Sequence, residues 1–167
     1  KVAKAEQAAV LSNPNGKLQI NQDFEVKLTE VTALNEDYSV ASEKEADVQN
    51  AKFAYAKNAD GDWEGPKIRV AVKNTSARSL WVSVLFLGAD YSVGIPIANQ
   101  RIDKGNDPVQ LFMVDEEGDR YDVIWLGVDD AYLSWGIHEV HDAIKVVVST
   151  EERSEEHTSE LQSHLNL

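Results

Sequence analysis

Residues 68–99 of the sequence decide the fold that we expect: IRVAVKNTSARSLWVSVLFLGADYSVGIPIAN. At the start of this stretch Ile68, Val70 and Val72 alternate with polar or small residues. Alternation with period two is typical of a strand that buries one face. A turn at residues 74–78 follows, because its short polar side chains can form hydrogen bonds with the nearby backbone.

The run at residues 80–87, LWVSVLFL, is the partner that we expect for this strand. Because nearly all of its residues are apolar, it is interpreted as a central strand covered on both faces. The sequence therefore predicts a β-hairpin joined by the Asn-Thr-Ser turn. The side chains expected in its core are those of Leu80, Val82, Val84 and Phe86.

Short apolar or alternating runs recur on both sides of this stretch, separated by turn residues. They lie at residues 24–31, 53–55, 93–97, 109–113, 121–128 and 143–149. Residues 34–50 are polar and acidic without a clean period, and they predict a loop. About seven short strands with no convincing helix between them predict an all-β protein, an antiparallel β-sandwich of the immunoglobulin-like kind.

The two ends of the chain differ from this middle part. Residues 1–14 are rich in helix formers and run into a Pro and Asn-Gly turn, so they predict a short helix that leads in from an upstream domain. Residues 15–152 are the β-sandwich domain in this interpretation. From residue 153 the sequence RSEEHTSELQSHLNL resembles the translation of a sequencing-library adapter. We therefore expect residues 153–167 to be a non-native tail.

The composition excludes several classes of function. The formal charge of −13 at pH 7 opposes binding to nucleic acid, which needs lysine and arginine gathered on one face. The chain has no cysteine, which removes disulfides, thiolate zinc sites and thiol nucleophiles. No apolar run is long enough to span a membrane. We expect a cytoplasmic domain that uses no cofactor.

One acidic turn has a spacing that suggests calcium. Asn58, Asp60 and Asp62 match the first, third and fifth positions of a calcium loop, where oxygen ligands converge on one hard cation. The sixth position is Trp63, where the tight turn needs glycine, so the EF-hand interpretation fails. A shallower calcium site made by Asp60, Asp62 and Glu64 is the candidate metal site, with an ordinary Asp-Gly hairpin turn as its alternative.

Other patterns that carry chemistry are incomplete. Residues 138–141 are His-Glu-Val-His, one residue short of the zinc motif H-E-x-x-H. No nucleophile elbow and no phosphate loop occurs. Paired carboxylates for glycoside hydrolysis stay open, because an acidic chain offers many pairs. A second acidic cluster, residues 115–119 with Asp122, coincides with an expected turn. We assign no catalytic and no cofactor-binding residue.

Three tryptophans, Trp81, Trp125 and Trp135, are expected in the core or at its rim. Aromatic residues of strands pack against their neighbours far more often than they serve as platforms for a ligand. None of the three is therefore named as a site residue.

Three passages together resemble the β-rich domain that follows the peptidase domain in bacterial caspase-like, metacaspase-related proteins. They are LSNPNGKLQI at 11–20, VAVKNTSARSLWVSVLFLGADYSVG at 70–94 and DAIKVVVSTEE at 142–152. In that family a strand ends in an Asn-Thr-Ser turn, and the domain closes on a strand with a Lys among apolar residues, followed by Ser-Thr-Glu. The resemblance covers residues 2–152, in the same order.

The resemblance implies an accessory domain and not the peptidase itself. The family's nucleophile is a cysteine thiolate activated by a histidine, and this chain has no cysteine. His138 and His141 fall in the wrong domain for that role. The parent would be a cysteine endopeptidase whose catalytic domain lies upstream, and the partner of this domain would be that peptidase domain or another protein. The alternative is a self-standing β-sandwich that binds carbohydrate or calcium.

Overall fold

Strands are the main secondary structure of the chain that the structure describes. The computed structural model describes residues 18–58, 60–137 and 139–152. The all-β class expected from the sequence is confirmed. The described elements are β1 (Phe24–Leu34), β2 (Val40–Ala46), β3 (Ala56–Lys57), β4 (Trp63–Glu64), β5 (Lys67–Asn74), β6 (Leu80–Leu87), β7 (Val93–Ile102), β8 (Val109–Gln110), β9 (Met113–Val114), β10 (Arg120–Tyr121), β11 (Ile124–Trp125), the helix α1 (Asp130–Ser134) and β12 (Ala143–Ser149).

Antiparallel ladders join these strands into sheets. The larger sheet has the order β11-β5-β1-β2, and β8 also pairs with β5. A separate sheet has the order β12-β6-β7, and two small ladders join β3 to β4 and β9 to β10. The chain divides into two compact units. The described part of the first unit is residues 18–25, 73–107 and 141–152, and the other described residues form the second unit.

The two strands of the stretch at 68–99, β5 and β6, do not pair with each other, and the burial expected for β5 is found whereas β6 is fully buried on one face only. Every second residue of β5 is buried, as are Leu80, Val82 and Val84 of β6, whereas Phe86 is only partly buried. β5 pairs with β1, β8 and β11, and β6 pairs with β7 and β12. The expected hairpin is therefore wrong, because alternation determines which face of a strand is buried and not which strand lies beside it.

The turn between β5 and β6 is held by the side chain of Asn74, which is buried. Its Nδ2 donates to the carbonyl oxygens of Arg78 at 2.7 Å and of Ile102 at 3.0 Å. Its Oδ1 accepts from the backbone N–H of Ser76 at 3.0 Å. Since Ile102 is the last residue of β7, this single amide ties the turn to the end of a distant strand and has partners for both its donors and its acceptor.

A strand, β2, lies where the sequence predicts a loop. Its middle residues are exposed, so apolar burial does not explain it. Lys44 lies opposite Glu30 of β1, and the ammonium and carboxylate are 3.0 Å apart. The carboxylate of Glu43 accepts from the Thr29 hydroxyl at 3.0 Å and from Arg69 of β5 at 2.9 Å. Polar pairs between strands therefore stabilise an element that apolar periodicity cannot reveal.

Other elements differ from their predictions in length. The last strand is confirmed as β12, whereas the strand expected at 53–55 is the two-residue β3, one position later. The second expected hairpin is reduced to β9 and β10, and β11 pairs with β5 instead. The described residues hold twelve strands, six of them only two residues long, and the short helix α1.

Two expectations concern parts of the chain outside the described residues: the helix at 1–14 and the non-native tail at 153–167. Within the described ranges, no helix has both the length and the apolar character that crossing a membrane requires.

Candidate functional site

Three segments of the second unit meet around Gly65. β11 pairs with the start of β5, which places Trp125 opposite Lys67. The backbone N–H of Leu126 donates to the carbonyl oxygen of Pro66 at 2.8 Å. A Cβ added to Gly65 would collide with the carbonyl oxygen of Leu126, so glycine is needed for this close approach. The end of β4, the start of β5 and β11 are therefore in direct contact.

Tyr55 attaches the segment before β3 to the same place. Its hydroxyl oxygen accepts from the backbone N–H of Val128 at 2.8 Å. Its ring lies 3.7 Å from the position that a Cβ on Gly65 would occupy, and its hydroxyl lies 3.3 Å from that of Gly127. The β3–β4 hairpin is thereby fixed against the chain that follows β11.

Trp125 presents much of its ring to solvent. The Nζ of Lys67 lies 4.5 Å from the centroid of the Trp125 ring, a cation–π contact. Lys67 is buried, and its ammonium is also 2.8 Å from the carboxylate of Glu64. Trp125 nevertheless remains 52% exposed. A fixed charge thus braces one side of the ring, and the rest is available for contact.

Trp63 has a similar arrangement on the β3–β4 hairpin. It lies opposite Lys57, whose Nζ is 5.4 Å from the centroid of its ring, and it is 68% exposed. We call Trp63, Trp125, Lys57, Lys67 and Glu64 together the tryptophan surface. Both tryptophans leave much of their rings in water on segments next to Gly65, so they are the candidate binding residues of the second unit.

The tryptophans expected in the core or at its rim have different environments. Trp81 is partly buried in β6, but Trp125 is exposed and Trp135 is 71% exposed. Trp135 follows α1 and contacts Tyr132 edge to face, with ring centroids 6.0 Å apart. The core expectation is therefore wrong for Trp125 and Trp135. The sequence does not identify Trp63 as a site residue, because a single aromatic residue next to an Asp-Gly turn gives no periodic signal.

The candidate calcium ligands Asp60, Asp62 and Glu64 lie in and after the β3–β4 turn. The Oδ1 of Asn58 accepts from the backbone N–H groups of Asp60 at 3.1 Å and of Asp62 at 2.9 Å, an Asx turn. The Glu64 carboxylate contacts Lys67 instead. Across the described ranges, no group of three or more His, Cys, Asp or Glu side chains is arranged to hold a metal ion. This geometry favours the hairpin turn, and calcium binding stays a prediction.

A second polar cluster surrounds Arg69, whose side chain is largely buried. Its guanidinium contacts the carboxylates of Glu43 at 2.9 Å and of Asp122 at 2.5 Å. Burial lowers the pKa of Arg69, but hydrogen bonds to the two carboxylates outweigh it, so the pKa lies above its ordinary value. Asp122 is thus an ion-pair partner.

The acidic turn at 115–119 is held by its own side chain. The Asp115 carboxylate accepts from the Asp119 N–H at 2.8 Å, which is a structural role.

An open groove of about 320 Å³ lies beside Asp122 and is lined by Gln110, Phe112 and Arg120 as well. The guanidinium of Arg120 stacks on the ring of Phe112, 4.4 Å from its centroid. The Nε2 of Gln110 donates to the carbonyl oxygen of Val70 at 2.8 Å. These four lining residues include no serine, threonine, cysteine or histidine, so they do not supply the nucleophile and base pairs that are usual in acyl transfer.

His138 lies outside the described residues, so the structure does not test the His-Glu-Val-His pattern as a whole. His141 lies just before β12.

No protein-family model, no curated protein and no solved structure matches the chain. The chemistry of the described surfaces and the sequence resemblance are therefore the basis for a function.

Proposed function

We propose that the chain is a non-catalytic recognition domain, the accessory domain of a bacterial caspase-like cysteine peptidase, which binds a protein partner or the peptidase domain itself. The observation that carries the recognition role is the tryptophan surface, with two exposed tryptophans each braced by a lysine. The parentage is supported by the passages at 70–94 and 142–152, which resemble that family.

The tryptophan surface has the composition of a protein-binding hot spot. Tryptophan is among the residues that most often dominate the binding energy of protein interfaces, where polar residues form a rim around a desolvated centre. Lys67 and Glu64 are already fixed by their 2.8 Å ion pair. A partner would therefore lose less free energy in ordering these side chains than it would with mobile ones.

A non-catalytic role is supported by the lack of a residue that peptide cleavage of this kind requires. Peptide cleavage by a caspase-like enzyme needs a cysteine thiolate as nucleophile and an imidazole as base. The sequence has no cysteine, so another domain would supply the nucleophile.

The coding sequence upstream of Lys1 tests the parentage. An upstream domain of caspase-like sequence, with the histidine and cysteine of a peptidase, would support the proposal. A secretory signal peptide directly before this chain would refute it.

Calorimetric titration of the chain with that peptidase domain tests the surface. Each of Trp63→Ala and Trp125→Ala should weaken binding about thirtyfold, which corresponds to a hot-spot loss of about 2 kcal/mol. Tyr91→Ala is the matched control, because Tyr91 is an exposed aromatic residue of the other unit. Full binding by both tryptophan variants, or an equal loss with Tyr91→Ala, would refute the role of the surface.

Carbohydrate binding is a second candidate, favoured by the half-exposed Trp125 ring with Lys67 and Glu64 at its side. A sugar ring can stack on an indole face while neighbouring polar groups bond its hydroxyls. Titration with cellohexaose and chitohexaose, followed by tryptophan fluorescence, separates the two candidates. Quenching that Trp125→Ala abolishes and Tyr91→Ala preserves would favour carbohydrate.

Calcium at Asp60, Asp62 and Glu64 is tested by thermal melting with added calcium. A site filled at 100 times its dissociation constant adds about 2.7 kcal/mol to the free energy of unfolding. An unchanged melting temperature would exclude such a site.

The proposal extends to an immunoglobulin-like β-sandwich located in the cytoplasm. Antiparallel ladders and the alternating burial along β5 and β6 support the architecture. A crystal structure tests it directly, and an arrangement of sheets other than a sandwich would refute it.

A further inference from the structure

Among the described strands, β12 lies at the edge of its sheet and has few of the features that usually prevent further pairing. Among the described residues it pairs only with β6, through seven consecutive pairs without a register shift, from Ala143 opposite Leu87 to Ser149 opposite Trp81. On its other side, alternate residues direct their backbone N–H and C=O groups away from the sheet. An edge of this length and regularity is a template for an added strand.

The other long edges in the described part of the chain are protected. β7 contains Pro96, which lacks an N–H, and its pairing with β6 is interrupted by two register shifts. β2 carries Glu43, Lys44 and Glu45 in succession, and its ladder with β1 is also irregular. β12 has no proline and a single charge, Lys145. Of these three edges, only β12 is open to regular strand addition.

The two faces of β12 differ, and this difference defines the strand that the edge would accept. Residues directly opposite each other in a ladder share a face of the sheet. The face that includes the buried Val82 and Val84 continues onto β12 as an apolar face, whereas the opposite face carries Lys145. An added strand should therefore alternate apolar with polar residues. The pairs on the apolar face are Ile144–Phe86, Val146–Val84 and Val148–Val82.

Charges at the ends of β12 distinguish between possible occupants. Asp142, whose carboxylate also accepts from the Ala89 N–H, precedes the strand, and Glu151 and Glu152 follow it. A second copy would bring together two chains of formal charge −13, which repel each other. A peptide with basic residues at its ends would instead meet carboxylates. We propose that the free edge of β12 binds, by strand addition, an extended segment of another protein with alternating apolar residues and a basic residue at each end.

The test uses the full chain and the labelled peptide Lys-Val-Thr-Val-Thr-Val-Lys, with fluorescence anisotropy and hydrogen exchange as readouts. Binding should saturate, and amide exchange at residues 143–149 should become slower. The control peptide has the same sequence with N-methyl groups on alternate residues, so it keeps its charge but cannot complete a ladder. It should bind at least about tenfold more weakly. Equal binding of both peptides would overturn the proposal. Protection, before peptide is added, of the β12 amides that face away from β6 would also overturn it.

A pair of double variants separates local charge from net charge. Glu151→Lys with Glu152→Lys should weaken binding about fivefold, because each exposed charge pair contributes little. Glu116→Lys with Glu117→Lys changes the net charge equally, in a turn of the second unit, and should leave binding unchanged. Equal losses in the two double variants would overturn the role of the strand ends.

Two further outcomes distinguish this proposal from its alternatives. A concentration-dependent dimer of the free chain, with its β12 amides protected, would make a second copy the occupant and overturn the choice of a peptide. Trp125→Ala should bind the peptide as the unmodified chain does, because the tryptophan surface belongs to the second unit. The proposal for β12 can therefore fail while the function proposed for the tryptophan surface stands, and the reverse also holds. A loss of peptide binding in Trp125→Ala would overturn the assignment of the site to β12.

Discussion

Replacing Asn74 by alanine should be one of the most destabilising single changes in the first unit. The side chain of Asn74 is 1% exposed and joins the turn after β5 to the end of β7. Alanine removes the amide and leaves the carbonyl oxygens of Arg78 and Ile102 and the N–H of Ser76 without this partner. Water has little access to replace it, because Ser76 is also buried.

The magnitude follows from the number of hydrogen bonds lost. Two bonds donated by Nδ2 and one accepted by Oδ1 from the Ser76 N–H disappear, and each contributes about 1 kcal/mol net. The Ser76 hydroxyl, which also donates to Oδ1 at 2.7 Å, keeps the Arg78 carbonyl oxygen as a partner at 2.9 Å, so its bond is not counted. The expected loss is therefore about 3 kcal/mol in the free energy of unfolding. Asn74→Asp should also be harmful, because a carboxylate cannot donate to the two carbonyl oxygens that it would face. Burial beside those oxygens would raise the pKa of the new carboxyl group, so the defect of this variant should shrink as the pH falls from 7 toward 4.

Urea denaturation measured with circular dichroism provides the assay, with the midpoint shifted and the slope unchanged. Thr75→Ala is the matched control in the same turn, because the Thr75 hydroxyl donates to the Gln22 carbonyl oxygen at 2.7 Å in an exposed position. It should lose only about 0.5–1 kcal/mol. A loss below about 1 kcal/mol for Asn74→Ala, or one no larger than that of Thr75→Ala, would refute the reasoning.

Gly65→Ala should destabilise the second unit by about 1–3 kcal/mol in urea denaturation, because its Cβ collides with the backbone carbonyl of Leu126; Gly94→Ala, whose Cβ meets nothing within 4 Å, should be close to neutral. Arg69→Leu should lower the free energy of unfolding by about 1–2 kcal/mol after allowance for solvent screening. Arg69→Lys should recover only part of this loss, because an ammonium cannot bridge two carboxylates as a guanidinium does. Full stability of the leucine variant would contradict this prediction. Melting temperatures should stay constant above the ordinary aspartate pKa of 3.8. They should fall as the pH drops through the lower folded-state pKa values of carboxyl groups that accept hydrogen bonds in turns. Asparagine variants, which keep an acceptor oxygen but do not titrate, should flatten the fall. The carboxyl groups whose pKa is lowered chiefly by such hydrogen bonds include Asp37, Asp47 and Asp90.

The sequence predicted the buried face of β5 and most of the buried face of β6, but it predicted the wrong partners for both strands. Burial of Val72 or Val82 follows from apolar alternation, which is a local property of the strand. The partner of a strand depends on where the chain goes after the turn. Here that path is set partly by the bond from Asn74 to Ile102, which are 28 residues apart in sequence. A turn motif alone does not contain that information, so a hairpin was the wrong prediction from a correct pattern.

The candidate site was missed for a different reason. Tryptophan is apolar, so Trp125 in a short strand is reasonably assigned to the core from sequence. Its surroundings depend on Lys67 at the start of β5, whose ammonium lies over the ring and is paired with Glu64 at the end of β4. The Asx turn at Asn58, by contrast, was available from sequence as the alternative to calcium, because its hydrogen bonds are made within five residues.

The strongly acidic composition favours partners that carry positive charge. Several of the few cations are engaged within the protein: Lys44 with Glu30, Arg69 with two carboxylates, and Lys67 with Glu64 and a tryptophan ring. A cation that is paired inside the protein contributes little positive potential to the surface. The charge of −13 comes from an excess of carboxylates, 29 against 16 lysine and arginine side chains. A partner should bring positive charge of its own, and association should weaken as salt screens it. For the edge of β12, raising the salt from 50 to 500 mM should lower the affinity of the lysine-ended peptide, and a salt-independent affinity would contradict the electrostatic part of the proposal.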